Sequence, residues 1–361
     1  MTLAISGILK VFIPATASFV VGIIAAPLLT HYLYKYKAWK KTVGKTALDG
    51  TPAVEFQKLR ETVHAGTETK TPRMGGLLIW ATAALITLFL WGGARLLPGT
   101  VFERLDFLSR SQTWIPFFTL IAGGAIGFVN DLLDIQPSGE KGISVRTRLF
   151  LVFLIAGFIG WWFYAKLGMD SIGVPGDGTL YRGALVVPHF ILVSLCIYAG
   201  GVIDGIDGLS GGVFGAAFMA YGGIAYFQNQ VNLAAFCATL TGAILAFLWF
   251  NIPPARFWMT ETGTMGLTMT LAVVAFMTDS LADGYGVAAL PIIAFPLVIT
   301  VASNIIQVAS KRLRGGKKVF RIAPLHHHFE AIGWPSYKVT MRYWVISIIC
   351  AVAGMTVALL K

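Results

Sequence analysis

Arg321 to Trp334 reads RIAPLHHHFEAIGW and sets three adjacent imidazoles, His326, His327 and His328, between Pro324 and the pair Phe329-Glu330. Three consecutive side chains cannot share one face of a helix or strand, so at least one ring must point into a polar setting. A solvated, histidine-rich loop is the plain alternative. Four further polar clusters favour a site. Gly200 to Gly208 reads GGVIDGIDG, with Asp204 and Asp207 three residues apart; one helical turn would set their carboxylates side by side. Gly205, next to Ile206 in that loop, lets a phosphate or a base approach the backbone closely. The loop contains no Lys or Arg. A divalent metal or nucleotide hydroxyls would satisfy the aspartates better than a tight turn with Asp caps. Phe250 to Gly263, FNIPPARFWMTETG, offers Asn251, a stacking pair Phe257-Trp258 and Glu261, whose bland role is to complement a helix dipole. Gly127 to Asp134, GFVNDLLD, holds Asn130, Asp131 and Asp134, followed by Lys141 in KGIS and by Arg146 and Arg148 in RTR. Lys70 and Arg73 close an earlier basic stretch. Cations of this kind bind phosphate, and they also mark the cytoplasmic side of membrane proteins. Carboxylates for Mg²⁺, basic groups and imidazoles for phosphates and an aromatic for a base are the equipment of phosphoryl transfer from a nucleotide.

The elements that must position these residues are membrane helices. Mean hydropathy is +0.72. Hydrophobic residues make up 56% and charged residues 12% of the 361, against about 25% charged in soluble domains. The reading is an all-α integral membrane protein forming one polytopic domain over 1–361. Apolar windows predict about ten spans, at 8–33, 74–94, 113–130, 148–166, 184–203, 209–227, 232–250, 262–280, 286–308 and 343–360. The odd loops, about 34–73, 131–147, 204–208, 251–261 and 309–342, hold most of the Lys and Arg. The even loops hold Arg95, Arg104, Arg110, Lys166 and Arg182. The positive-inside rule therefore puts the odd loops in the cytoplasm and both termini outside. The five polar clusters then share the cytoplasmic face, and the second substrate is a membrane lipid. The net charge of +11, so distributed, points to a membrane surface and not to nucleic acid. Residues 168–183, with Pro175-Gly176-Asp177-Gly178, predict an external hairpin. Cys196, Cys237 and Cys350 lie in apolar runs and read as small core residues. The N-terminal span, with Lys10 before it and no small-residue cleavage site, reads as a retained helix.

On these residues the chain resembles the phospho-N-acetylmuramoyl-pentapeptide translocase family (MraY) of the polyprenyl-phosphate N-acetylhexosamine-1-phosphate transferases. APLHHHFE with Gly333-Trp334, Lys338-Val339 and Arg342-Tyr343-Trp344 carries the likeness most specifically; KGIS, DGIDGLSGG, FLWFN and MGGLL add to it. The resemblance covers nearly the whole chain. It implies that undecaprenyl phosphate attacks the sugar-linked phosphate of UDP-N-acetylmuramoyl-pentapeptide, with Mg²⁺, giving lipid I and UMP in the bacterial inner membrane. It also implies a homodimer. Taken with the residue chemistry, it assigns catalysis to Asn130, Asp131, Asp204, His326, His327 and His328. Lys70, Lys141, Gly205, Ile206, Asp207, Asn251 and Trp258 are assigned to substrate, and Glu261 with Asp131 to the metal.

Several positions depart from the family pattern. Its Asp-Asp pair is Asn130-Asp131 here, and the lysine that follows is Asp134. Gly201 stands for an asparagine, Thr260-Glu261 for Gly-Asp, and Arg73 for a threonine. Glu261 keeps a carboxylate one methylene longer. Asn130 keeps an oxygen but can neither accept a proton nor offset Mg²⁺ charge. A lipid phosphate is already ionised at neutral pH and transfer rests on positioning and electrostatics, so an active enzyme is the expectation. Two alternatives stand beside it: a related UDP-amino-sugar phosphate transferase, and a catalytically degenerate lipid- or nucleotide-binding homologue. A transporter would place polar residues at mid-span, whereas these acids sit at span ends.

Overall fold

The computed structural model describes residues 2–39, 70–109, 111–136, 142–176, 178–282 and 284–360. Lys141, Arg110 and Asp283 lie outside them, as does most of the first loop. The chain runs through α1 (Thr2–Lys35), α2 (Gly76–Leu96), α3 (Val101–Leu105), α4 (Trp114–Asp134), α5 (Val145–Leu167), strands β1 (Ser171–Val174) and β2 (Gly178–Tyr181), α6 (Val186–Ala199), α7 (Leu209–Phe227), α8 (Val231–Asn251), α9 (Thr260–Met277), α10 (Gly286–Ile293), α11 (Phe295–Leu313), α12 (Leu325–Ala331) and α13 (Ser336–Leu359). Eight helices among the described residues are long and apolar enough to cross a membrane, and the bent pair α10–α11 makes up to nine. The protein is a multi-pass, all-α membrane protein.

Of the ten expected spans, α9 is the one whose composition falls short, and its position explains why. It is threaded with Thr260, Thr262, Thr264, Thr268 and Thr270, yet every residue from Thr262 to Met277 is buried. A helix walled by other helices need not be apolar for lipid, and its hydroxyls can bond within the bundle: Thr268 Oγ1 donates to the Thr264 carbonyl at 2.7 Å. Glycines bring its neighbours to backbone contact. A Cβ on Gly127 of α4 would stand 2.0 Å from the Glu261 carbonyl oxygen, and one on Gly76 of α2 would stand 2.2 Å from Gly263 N. The crossings that seat the polar loops are therefore made by missing side chains.

The span expected at 286–308 is broken. Helices α10 and α11 meet at 66°, because Pro296 has no N–H and its ring blocks the carbonyl four residues back. The predicted hairpin is present as β1 and β2, antiparallel with Ser171 opposite Tyr181. It is pinned to the end of α9 by Asp279, whose carboxylate accepts from Gly173 N at 2.6 Å and Val287 N at 2.8 Å. The last helix begins at Ser336, earlier than the expected 343, because amphipathic turns precede its apolar run.

Candidate active site

At the other end of α9 the loops grouped by their charge meet, and the hub is the start of that helix. Asp131, at the end of α4, is fully buried. Its Oδ2 accepts from Thr260 Oγ1 at 2.5 Å, Thr262 N at 2.8 Å and Thr262 Oγ1 at 2.6 Å. Its Oδ1 accepts from Arg73 Nη2 at 3.2 Å and lies 3.5 Å from Asn130 Nδ2. The same Arg73 nitrogen is 3.2 Å from Asp134. Asn130 spends its own oxygen on Ile143 N at 3.0 Å, tying the loop that carries KGIS to the end of α4. Arg148, one turn into α5, pairs with Glu261 Oε1.

The fifth-loop aspartates do not lie side by side on a helical turn. Asp204 itself, at φ −75° and ψ 65°, ends the helical turn of residues 200–203 and carries the backbone out of the helical region before Asp207 is reached. The carboxylates accordingly reach different ends of the 255–260 segment. Asp204 accepts from Ser210 Oγ at 2.7 Å and Thr260 N at 2.7 Å. Asp207 accepts from Ala255 N at 3.0 Å and Trp258 Nε1 at 2.9 Å. Burial pushes the Asp204 carboxyl above the usual range, and its bonds to Ser210 and Thr260 pull against that. Asp131 and Asp204 thus both accept the first backbone N–H groups of α9, which a helix leaves without internal partners.

The three histidines lie on α12. His326 and His327 are buried and His328 is half-buried. His327 Nδ1 lies 2.7 Å from Glu330 Oε2, and Glu330 accepts in turn from Ser336 Oγ at 2.6 Å. His328 Nδ1 accepts from Arg321 N at 3.2 Å; burial, then the Arg321 charge, lowers its pKa. Gly205 joins this helix to the fifth loop: a Cβ there would stand 2.6 Å from His326 Nε2 and 2.7 Å from His327 Nε2. Thr340 Oγ1 and Trp344 Nε1 of α13 hold the same loop through the Asp207 and Gly208 carbonyls, at 3.0 Å each.

Several residues expected to bind substrate also build the site's walls. Asn251 is buried and clamps Gly208 N (2.9 Å) and the Phe257 carbonyl (2.8 Å). Ile206 is part of the apolar core. Phe257 is fully buried against Phe247 and Phe250, which leaves Trp258 as the aromatic open to a base. Lys70 is exposed, two residues before Pro72, whose carbonyl accepts from Trp258 N at 2.9 Å. The sequence reading assigned no role in the site to Thr260, Thr262, Ser210 or Glu330. A Thr-x-Thr ahead of an apolar run, and a Glu three residues after a His, are signals that could have found three of them.

Mg²⁺ takes few protein ligands, a carboxylate or two beside water and substrate phosphate oxygens. Glu261 fits that role: among the described residues its Oε2 takes part in no hydrogen bond or ion pair, while Arg148 holds Oε1. Asp131 does not fit, because its two oxygens are engaged by the donors named above. Among the described residues there is no cluster of three or more His, Cys, Asp or Glu placed to enclose a metal.

A helical membrane bundle that gathers carboxylates, guanidiniums and imidazoles at one end has the residue types that phosphoryl transfer uses. The sequence profile of glycosyl transferase family 4 matches residues 113–279, which include Asp131, Asp204, Asp207 and Glu261. Among curated proteins, the phospho-N-acetylmuramoyl-pentapeptide-transferase of Levilactobacillus brevis is 34% identical over 312 residues, covering 85% of this chain and 91% of that protein. Those of Clostridium perfringens (strain 13 / Type A) and Geobacillus sp. (strain WCH70) are each 30% identical, covering 95% and 94% of this chain and 98% and 94% of theirs. The chain belongs to the phospho-N-acetylmuramoyl-pentapeptide-transferase family.

Proposed function

We propose that this protein transfers phospho-N-acetylmuramoyl-pentapeptide from its UDP carrier to undecaprenyl phosphate at the cytoplasmic face of the bacterial inner membrane. A phosphate oxygen of the lipid attacks the sugar-linked phosphorus, the bond to the UMP phosphate breaks, and lipid I and UMP result. The carrying observation is that Arg73 and Arg148 are both fixed by site carboxylates at the head of α9 and keep part of their side chains open, 16% and 18%. A diphosphate supplies further acceptors for the guanidinium N–H groups on that open side. Asp131 holds Arg73 and the start of α9 in place. Trp258, its ring plane fixed by the bond to Asp207, presents a face to uracil. Glu261 would hold Mg²⁺ together with substrate oxygens, and the bound ion would offset charge developing on the leaving phosphate. The face of α11 that carries Ile305, Val308, Ala309 and Leu313, with Asn304 and Arg312 beside them, suits a prenyl chain. That face belongs to the same helix whose Ser303 accepts from Leu325 N at the start of α12.

Mass spectrometry of the lipid fraction tests the reading. Protein supplied with UDP-N-acetylmuramoyl-pentapeptide, undecaprenyl phosphate and Mg²⁺ should yield the lipid-linked sugar-pentapeptide. Product formed from UDP-N-acetylglucosamine alone would replace this reading with that of a related transferase.

A further inference from the structure

Three positions around Asp131 depart from the family pattern together: Arg73 stands for a threonine, Asn130 for an aspartate and Asp134 for a lysine. Taken one at a time they read as losses. Taken as a set with Asp131 they keep the inventory, because either arrangement holds two carboxylates and one cation. The structure shows how the set closes here. A single Arg73 nitrogen, Nη2, lies 3.2 Å from Asp131 Oδ1 and 3.2 Å from Asp134 Oδ2. Asp131 is fully buried, and a buried carboxylate stripped of its cation is strongly destabilising. Residue 134 lies three positions beyond Asp131 on α4, the spacing at which side chains of one helix meet. A lysine at 134 would therefore reach Asp131 from within α4, as Arg73 does from the first loop. Asn130 gives its oxygen to Ile143 N at 3.0 Å, and the second carboxylate sits one turn further on, at Asp134. The backbone around Arg73 is fixed on both sides. Its N–H donates to the Ala38 carbonyl at 2.7 Å, the Pro72 carbonyl accepts from Trp258 N at 2.9 Å, and Gly75 N donates to the Trp258 carbonyl at 2.7 Å. The guanidinium thus stands on a rigid base, and its fork has donors for a phosphate beyond those that hold the carboxylates.

We propose that Arg73 is a relocated site cation. It supplies from the first loop the phosphate-facing charge that the family pattern places at residue 134, and Asp134 is the positioning residue that holds it. The inference rests on the transferase reading for its kinetic consequence and on geometry alone for the coupling of the three positions. The consequence is that they can be exchanged only together. Arg73→Thr alone takes away the cation that bridges Asp131 and Asp134. Asp134→Lys alone crowds two cations against Asp131.

The test uses the full-length protein in detergent and compares Arg73→Thr, Asp134→Lys and the triple exchange Arg73→Thr/Asn130→Asp/Asp134→Lys. Readouts are kcat and KM for UMP release, taken well below every variant's thermal midpoint, and the midpoint itself. Each single change should lower kcat/KM by about 10- to 100-fold and the midpoint by a few degrees. The triple exchange should exceed both singles and return to within about tenfold of wild type. Arg73→Lys, which keeps a charge at residue 73, should be faster than Arg73→Thr. Wild-type kcat/KM in Arg73→Thr overturns the proposal, and so does a triple exchange no faster than the faster single. Should the triple exchange not fold, Arg73→Gln, Asp134→Asn and their combination decide: the combined loss must be smaller than the two losses multiplied, and independent losses overturn the coupling. If wild type itself releases no UMP, the transferase reading fails, and the coupling is then judged on midpoints alone. Both singles must lower the midpoint and the triple exchange must bring it back above both; losses that simply add overturn it.

Discussion

Gly205→Ala probes the junction between the fifth loop and the histidine helix with one methyl group. Gly205 is outside the left-handed region, so alanine suits its backbone and any effect comes from the contact. The added Cβ would stand 2.6 Å from His326 Nε2 and 2.7 Å from His327 Nε2, and ordinary contact begins near 3.4 Å. One side must retreat by roughly 0.7–0.8 Å. The rings are poorly placed to yield: His327 is held by Glu330 and Ser336, and His326 is buried with its ring centre 4.4 Å from that of His327. The loop must move, and it carries Asp204 and Asp207. Overpacking of this kind costs about 1–3 kcal/mol, and a displacement near 1 Å at reacting groups costs about a hundredfold in rate. Steady-state UMP release should fall by about 10- to 100-fold in kcat/KM, with the thermal midpoint down by a few degrees. Gly92→Ala, with nothing within 4 Å of the new Cβ, is the control and should be neutral or slightly stabilising. Wild-type kinetics and midpoint in Gly205→Ala would refute the juxtaposition of loop and histidines.

Arg148→Met should lower kcat/KM by about a hundredfold and the midpoint by about 1–2 kcal/mol equivalent, because Glu261 loses its cation. Adding Glu261→Gln should restore midpoint but not turnover, and recovery of both would argue that the pair is structural only. On the far side of the bundle, burial raises the Asp279 pKa from 3.8 to about 6. The fold therefore favours the protonated acid. Its contribution is fully present below pH 3.8 and is lost as pH rises through about 6, amounting to about 3 kcal/mol. Midpoints measured from pH 4 to 7 should fall more steeply for wild type than for Asp279→Asn, whose neutral amide does not titrate; parallel profiles would contradict the assignment.

The helices were readable because lipid imposes a composition on anything it touches. Where lipid is absent that signal weakens, and α9, wholly enclosed, reads as the poorest span while forming the centre of the bundle. The break between α10 and α11 was signalled by Pro291 and Pro296, yet a continuous apolar run hid it. The polar loops were legible as a group from charge alone, and the structure brings Asp131, Asp204, Asp207, Glu261 and His326–His328 to one end. Individual roles were less legible. Asn251 and Ile206 lie within the recognised motifs, but their partners in the fold are Gly208, Phe257 and the core, which no local spacing reveals. The roles of Thr260 and Thr262 stayed hidden for the same reason: a threonine before a helix reads as an ordinary cap until its hydroxyl is seen on the carboxylate of a distant helix.

Lipid-dependent UMP release by purified protein, with Asp131→Ala beside it, tests the central claim most directly. The account predicts release from UDP-N-acetylmuramoyl-pentapeptide that requires undecaprenyl phosphate and Mg²⁺ and is lost in the variant. No release from that substrate or from UDP-N-acetylglucosamine, by protein that still binds the nucleotide, would contradict it. The gathered carboxylates, arginines and histidines would then be a binding surface without transfer chemistry.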